Sequence, residues 1–213
     1  MDDTNFFINT VLRWYEKNGR DFPWRRTKDV YRLLVAEKLL QRTQAKIVAK
    51  FYPKFISKYP TYHALAHAKT KDVERLIRPL GLYKIRAREL KNMAALMEKR
   101  VVGVPSPDDL KGLKGVGEYV EKAVRCFAFG ESMLPLDANI KRLISRFFYG
   151  EHVAEVDNRI CEGIVRNVGR SEIKKFVWGL LDFEEEICTP KAPKCHKCPL
   201  ANRCRYVLFS HRA

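Results

Sequence analysis

The sequence predicts an all-α protein. Apolar residues recur at helical spacing in two clear stretches, 140–147 and 173–181, where they face one side of a helix. No segment shows the sustained alternation of apolar and polar residues that is typical of a half-buried strand. Glycine and proline residues fall between the helical stretches, where helices are expected to end.

The expected elements follow one another along the chain. Phe6, Ile8, Val11, Leu12 and Tyr15 predict an N-terminal helix. The further helical stretches are 30–51, 64–80, 85–99, 120–129, 140–147 and 173–181. Turns are expected at Asn18-Gly19, Pro23, Pro60, Gly81, 103–107, 115–117, 130–135 and Gly150.

Composition narrows the class of protein. The chain has 213 residues, 46% of them hydrophobic, and its 41 Lys and Arg residues against 25 Asp and Glu give a net charge of +16. This balance favours a polyanionic partner, although a solvated basic face would give the same count. No segment approaches the roughly 18 apolar residues of a membrane span, and the start lacks a signal pattern. We therefore expect a cytoplasmic protein without a membrane partner.

Four of the six cysteines lie within a short segment near the end of the chain. Cys188, Cys195, Cys198 and Cys204 are separated by six, two and five residues, so four thiolates can converge on one centre. Zinc sites more often use two close pairs, so the spacing favours an iron–sulfur cluster over zinc, with disulfides third. Cys126 and Cys161 have apolar neighbours and are read as buried core residues.

A glycine turn precedes the helical stretch 120–129. Lys114-Gly115-Val116-Gly117 places flexible backbone at a helix N-terminus, where free amide groups can hold a phosphate. A purely structural left-handed turn explains the two glycines equally well. A dinucleotide-binding turn does not, because Val120 stands where the third glycine is needed and no strand precedes it.

Taken together, these motifs resemble those of the helix-hairpin-helix DNA glycosylases of the endonuclease III and MutY type. The resemblance rests on 113–117, the downstream segment 136–142 and the cysteine loop, and it covers nearly the whole chain. The N-terminal segments Phe22-Pro23-Trp24-Arg25 and 37–44 resemble the MutY branch in particular. The resemblance implies a [4Fe–4S] cluster at the four cysteines, a hairpin that binds a DNA phosphate, and a catalytic aspartate at Asp137.

The family's architecture implies two helical domains flanking a DNA-binding cleft. We expect a six-helix domain at 24–134, with the helix-hairpin-helix motif at about 105–129. The second domain would combine 1–23 with 135–213 and carry the cluster loop at 188–204. The partner implied is double-stranded DNA that contains a mismatched base, bound by a monomer in the nucleoid.

Position 119 bears on the chemistry. Strand-cleaving members of the family have a lysine two residues after the second hairpin glycine, and its amine forms a Schiff base with the sugar. The residue here is Tyr119, which cannot do so, and this predicts a monofunctional glycosylase. The mismatch-specific thymine glycosylases that the chain resembles have tyrosine at this position. Without that context, an amphipathic residue packed at a helix start is the simpler interpretation.

Two carboxyl groups can serve the hydrolysis of a glycosidic bond. We assign Asp137, in its ionised form, to stabilise the sugar cation or orient water. We assign Glu37 to protonate or polarise the departing base, which requires a raised pKa of Glu37 when the site closes. Each of the two residues also has a purely structural interpretation. Asp137 could cap the helix that begins near Ile140, and Glu37 could pair with Lys38 or Arg42 on a solvated helix face.

The remaining expectations concern DNA and substrate. A flipped base leaves a gap that side chains must fill, and the resemblance points to Gln41, Arg42 and Leu82. The complete DNA-binding set also includes Thr43, Lys114, Gly115, Val116, Gly117 and Asn139. We expect thymine or uracil opposite guanine as substrate, partly because the chain ends at 213 without MutY's domain for reading oxidised guanine. An adenine glycosylase and a non-catalytic DNA-binding protein are the alternatives.

Overall fold

A computed structural model describes residues 2–151 and 155–210 of the chain. Residue 1, residues 152–154 and residues 211–213, which belong to the second predicted domain, lie outside the described residues. The described part consists of helices and loops and contains no strand, which confirms the all-α fold class. None of its helices is both long and apolar enough to cross a membrane.

Eleven α-helices cover most of the described residues. In chain order they are α1 (Asp3–Asn18), α2 (Val30–Leu40), α3 (Ala45–Lys58), α4 (Tyr62–Ala66), α5 (Thr70–Ile77), α6 (Tyr83–Arg100), α7 (Glu118–Phe129), α8 (Ala138–Phe148), α9 (Asn158–Asn167), α10 (Ile173–Glu186) and α11 (Arg205–Ser210). Aspartate side chains cap several of the N-termini: Asp2 accepts from the Asn5 amide at 2.7 Å, and Asp29 from the Arg32 amide at 2.8 Å.

The chain divides into two compact units. The first combines residues 2–20 with the described residues from 130 onward, and the second consists of Asp21–Phe129. In the first unit α1 packs on α10, where a Cβ at Gly179 would lie only 3.0 Å from Val11 Cγ1. An ion pair lies beside this contact: Nη2 of the partly exposed Arg20 is 2.6 Å from the fully buried Asp182 carboxylate. The aromatic rings of Phe7, Phe147 and Phe176 form part of the same core.

The second unit is built around α2. Leu33, Leu34 and Leu39 are almost completely buried there, and α2 contacts α3, α6 and α7. The pair α4 and α6 has the most extensive contact of the unit. Burial of α2 on all sides explains why its sequence is apolar almost throughout rather than along one stripe.

Two of the predicted helical stretches are divided in the structure. The stretch 30–51 is α2 and α3, separated at 41–44, and the stretch 64–80 is α4, α5 and a 3₁₀ turn at Arg78–Leu80. The first break follows from Arg42, whose φ of 54° is left-handed and cannot continue an α-helix. Two further helices, α9 and α11, were not among the predicted stretches; Ile164 is the residue that α9 buries.

Candidate functional site

Asp137 lies at the N-terminus of α8 in the first unit. Its Oδ1 accepts hydrogen bonds from the backbone amides of Asn139 at 3.0 Å and Ile140 at 2.7 Å, so the predicted capping role is confirmed. The Oδ2 atom has a longer contact, 3.5 Å, with the Asn139 side chain. These two amide bonds fix the position of Oδ1 at the helix N-terminus. The aspartate therefore has one fixed oxygen and one oxygen that can act on another group.

A buried charge network lies behind this cap. Arg142 Nη1 donates to Asn139 Oδ1 at 2.6 Å, and Nη2 donates to Glu184 Oε2 at 3.0 Å. Burial and, next, the Asp137 carboxylate raise the pKa of Glu184 to about 8, against the opposing effect of Arg142. Sequence reasoning missed Arg142 and Glu184 as parts of the site, because a contact over 42 positions leaves no local pattern.

The four cysteines of the loop line one cavity. It encloses about 350 Å³ of space between its wall atoms, part of it open to solvent, and α8 side chains form its floor. None of the four is in a disulfide. Burial raises the pKa of the Cys195 and Cys204 thiols, and that of Cys198 to about 12. Thiols in this environment ionise only if a positive group compensates them, as a metal centre does.

Two arginines of α8 tie the cysteine loop to the helix that Asp137 caps. Arg142 donates to the carbonyl oxygen of Cys188 at 3.0 Å, and Arg146 donates to those of Thr189 and Pro190 at 2.8 Å each. Arg146 Nη1 also lies 3.5 Å from Cys188 Sγ. The loop is thus held by charge-assisted hydrogen bonds, and a cation faces the sulfur cavity.

Glu37 and Lys38 are both buried on α2 of the second unit. Their exposed fractions are 5% and 3%, which excludes the alternative of a solvated face for Glu37. Lys38 Nζ contacts Glu89 Oε2 at 2.8 Å, Gln41 Oε1 at 3.2 Å and the carbonyl oxygen of Gly115 at 3.3 Å. This one ammonium group therefore brings Gln41 and the glycine turn together.

The glycine turn lies directly before α7, and of its two glycines only Gly115 has a left-handed backbone. Gly115 has a φ of +85°, a conformation in which a side chain would be strained, and α7 begins at Glu118. Lys114, Gly115 and Gly117 are exposed, Val116 is nearly buried, and Tyr119 is half-buried in the first turn of α7. The acidic start of α7 is neutralised in part, because Glu118 pairs with Lys122 at 2.6 Å.

Arg42 and Leu82 are the two non-glycine residues with positive φ in the described part of the chain, at 54° and 48°. Both are exposed, Leu82 by 55%. Such backbone costs about 1–2 kcal/mol per residue and persists where the surroundings hold it. The buried Arg86 provides that support: it donates to the carbonyl oxygens of Gln41 at 2.6 Å and Leu80 at 3.5 Å, and to Thr43 Oγ1 at 3.0 Å.

The structure thus gathers the candidates into two groups. Asp137, Asn139 and the four cysteines belong to the first unit, joined through Arg142. In the second unit, Lys38 and Arg86 connect Gln41, Thr43 and the glycine turn. In these contacts a buried Arg or Lys side chain donates to backbone carbonyl oxygens. Residue spacing in the sequence does not predict such contacts.

Comparison with known proteins identifies related chains. Residues 35–165 match the HhH-GPD superfamily base excision DNA repair proteins. The chain is 37% identical to a thymine/uracil-DNA glycosylase of Methanothermobacter thermautotrophicus over 97% of both chains. It is 32% identical to an adenine DNA glycosylase of Mycobacterium tuberculosis, of which it covers 66%. The solved structure of a thermostable thymine-DNA glycosylase superposes with a TM-score of 0.88, at 34% identity over 97% of both chains.

Proposed function

The chain belongs to the HhH-GPD superfamily of base excision DNA repair proteins, and from this we propose that it removes thymine or uracil mispaired with guanine without cleaving the DNA strand. The observation that carries the proposal is the similarity to a thymine/uracil-DNA glycosylase over almost the full length of both chains. The adenine DNA glycosylase is less similar and extends well beyond the matched region, which makes adenine the second candidate.

Asp137 is the proposed group at the sugar. During hydrolysis the bond from C1′ to the base breaks, positive charge grows on the sugar, and a water oxygen bonds to C1′. An ionised carboxylate stabilises that charge and can accept the proton of the attacking water. The two amide bonds to Oδ1 support this role, since they fix the carboxylate in place and leave Oδ2 to act.

Glu37 is the proposed group at the departing base. The base leaves with the electron pair of the broken bond and must gain a proton or strong hydrogen bonds. Glu37 is proposed to supply that proton, because its side chain lies on a buried helix and is only 5% exposed, away from competing water. The two carboxyl groups then have different roles: one stays charged and the other supplies the proton.

The absence of strand cleavage rests on Tyr119. A phenol has no amine and cannot form the Schiff base that leads to β-elimination. Lys122, one turn further along α7, is paired with Glu118. Tyr119 is instead proposed to contact the extruded base, for which a half-buried aromatic side chain offers a stacking surface.

DNA binding is proposed to use the exposed segments of the second unit. The amides at the start of α7 and Lys114–Gly117 would hold a backbone phosphate. Gln41, Arg42 and Leu82 would fill the space that the extruded base leaves and contact the orphaned guanine. Their support by Lys38 and Arg86 favours this proposal, because a wedge must be rigid to keep a duplex open. Asn139 and Thr43 complete the proposed set.

A [4Fe–4S] cluster is the proposed cofactor of the cysteine cavity. The sulfurs of a tetrahedral zinc site lie about 3.8 Å apart, given Zn–S bonds of about 2.3 Å. Within the described residues, no three of these cysteine sulfurs lie within 4.8 Å of one another. This wider spacing favours a centre larger than one zinc ion. When bound, the cluster supplies a crosslink of four thiolates. Arg142 and Arg146 bond the cysteine loop to α8, the helix that Asp137 caps.

A panel of mismatched duplexes tests the proposal. Duplexes with T·G, U·G, A·G and A·8-oxoguanine are treated with the protein, and abasic sites are revealed by alkali. We expect alkali-dependent cleavage of the T and U strands and none before alkali. Product from the A strands alone would favour the adenine glycosylase, and no product from any duplex would favour a non-catalytic DNA-binding protein.

A further inference from the structure

Two histidines and a glutamate converge on the surface of the second unit, formed by α4 and α6. His63 and His67 are four residues apart, and their ring centroids are 4.2 Å apart. His63 Nδ1 lies 2.6 Å from Glu98 Oε1, and His67 Nδ1 lies 3.8 Å from Glu98 Oε2. One ligand atom from each of the three side chains can be chosen so that all lie within 4.8 Å of one another.

This cluster has no part in the function proposed above. Glu98 belongs to the last turns of α6, whereas Leu82 precedes its first residue, so α6 separates the cluster from the proposed DNA-contacting turn by about 24 Å at 1.5 Å per residue. The histidine side chains are 73% and 63% exposed. A solvent ion can therefore reach all three residues directly.

The ligand types fit zinc. Zn²⁺ binds imidazole nitrogen and carboxylate oxygen at about 2.0–2.2 Å, and two histidines with one glutamate leave a fourth position for water. The ligand atoms of such a tetrahedral site lie about 3.3 Å apart. The exposed side chains would therefore have to bring their ligand atoms closer together by about 1.5 Å at most. The His67 ring is already oriented, because its Nδ1 donates to the His63 carbonyl oxygen at 3.0 Å.

We propose that His63, His67 and Glu98 form a zinc site that crosslinks α4 to α6. The helix α4 has five residues, too few to be stable by itself, and depends on its contact with α6. A metal bound by residues of both helices would hold that contact in the folded state and be absent from the unfolded chain. Zinc is then a stabilising ligand of the second unit rather than a participant in catalysis.

The test is the thermal unfolding of the cluster-loaded protein with and without Zn²⁺, with Mg²⁺ as the control ion. Wild type is compared with His67→Ala and Glu98→Gln, and with Glu74→Gln as a matched carboxyl-to-amide control in the same unit. At free Zn²⁺ about 100-fold above Kd we expect Tm to rise by roughly 5–10 °C in wild type and Glu74→Gln. The rise should be lost in His67→Ala and reduced in Glu98→Gln.

Calorimetric titration gives a second measurement. Wild type should bind one more Zn²⁺ than His67→Ala, whatever the cysteine loop binds, because the loop is the same in both. His67 is largely exposed, so its removal should leave the fold intact, which circular dichroism checks. Equal Zn²⁺ binding and equal Tm shifts in wild type and His67→Ala, or no Zn²⁺ response in wild type, would overturn the proposal.

Discussion

The guanidinium of Arg86 donates a hydrogen bond to the carbonyl oxygen of Gln41 at 2.6 Å. The same side chain reaches Thr43 and Leu80, so one buried cation holds both left-handed turns of the second unit. The exposed residues Arg42 and Leu82 belong to these turns. Their geometry therefore depends on a residue that is itself almost completely buried.

We predict that Arg86→Lys weakens DNA binding and stability together. Lysine cannot reproduce the several hydrogen bonds that the guanidinium donates at once. Each buried carbonyl oxygen left without a donor lowers the free energy of unfolding by about 1–3 kcal/mol. Urea unfolding should show a loss of this size, and the Kd for a T·G duplex should rise about tenfold. Arg88→Lys, an exposed neighbour on α6, is the control and should change neither. If Arg86→Lys bound the duplex as tightly as wild type, the geometry of the two turns would not contribute to DNA recognition.

Tyr119→Lys should introduce strand cleavage. An amine at the start of α7 can attack C1′ of the sugar and form a Schiff base, which borohydride reduces to a stable protein–DNA adduct. We expect an adduct with Tyr119→Lys and none with wild type or Tyr119→Phe. If wild type is trapped as efficiently as the lysine variant, another amine performs the reaction and the protein is not monofunctional.

The buried carboxyl group of Glu184 predicts a pH-dependent stability. Its pKa rises from 4.5 to about 8 on folding, so the folded state holds the proton more tightly than the unfolded state. The stabilisation is complete below pH 4.5 and is lost as the pH rises through 8. Between pH 6 and 9 wild type should lose roughly 1–3 kcal/mol by urea unfolding. Glu184→Gln should remove most of this pH dependence of the unfolding free energy. Glu186→Gln, which changes an exposed carboxyl group, should keep it.

The cysteine loop should lose its cofactor when one ligand is changed. We expect purified wild type to contain iron and to absorb broadly in the violet and blue, and Cys198→Ser to lose most of both. Cys161→Ser changes a cysteine outside the loop and should retain them. Zinc in place of iron in wild type would refute the [4Fe–4S] assignment.

Sequence reasoning captured the features that depend on local pattern. The helical periods at 140–147 and 173–181 correspond to α8 and α10, and the aspartate before Ile140 is the cap of α8. The cysteine spacing predicted four thiols around one cavity. Each of these follows from residues within one or two turns of one another, where spacing determines geometry.

The contacts that hold the candidate residues were not predictable in the same way. Lys38 and Arg86 resemble ordinary surface charges in the sequence, yet both are buried and bond to backbone carbonyls far along the chain. The break of the stretch 30–51 at Arg42 likewise depends on Arg86, more than 40 positions away. A tertiary contact of this kind overrides the helical period that the local sequence shows.

The most direct test of the account is the single-turnover rate of Asp137→Asn on a T·G duplex. Asparagine caps a helix as well as aspartate does, so α8 and its contacts should persist, while the charge at the sugar is lost. We expect unchanged Tm and duplex binding with alkali-revealed cleavage slowed by roughly 10²–10⁴-fold. A rate equal to that of wild type would contradict the assignment of Asp137 and with it the proposed mechanism.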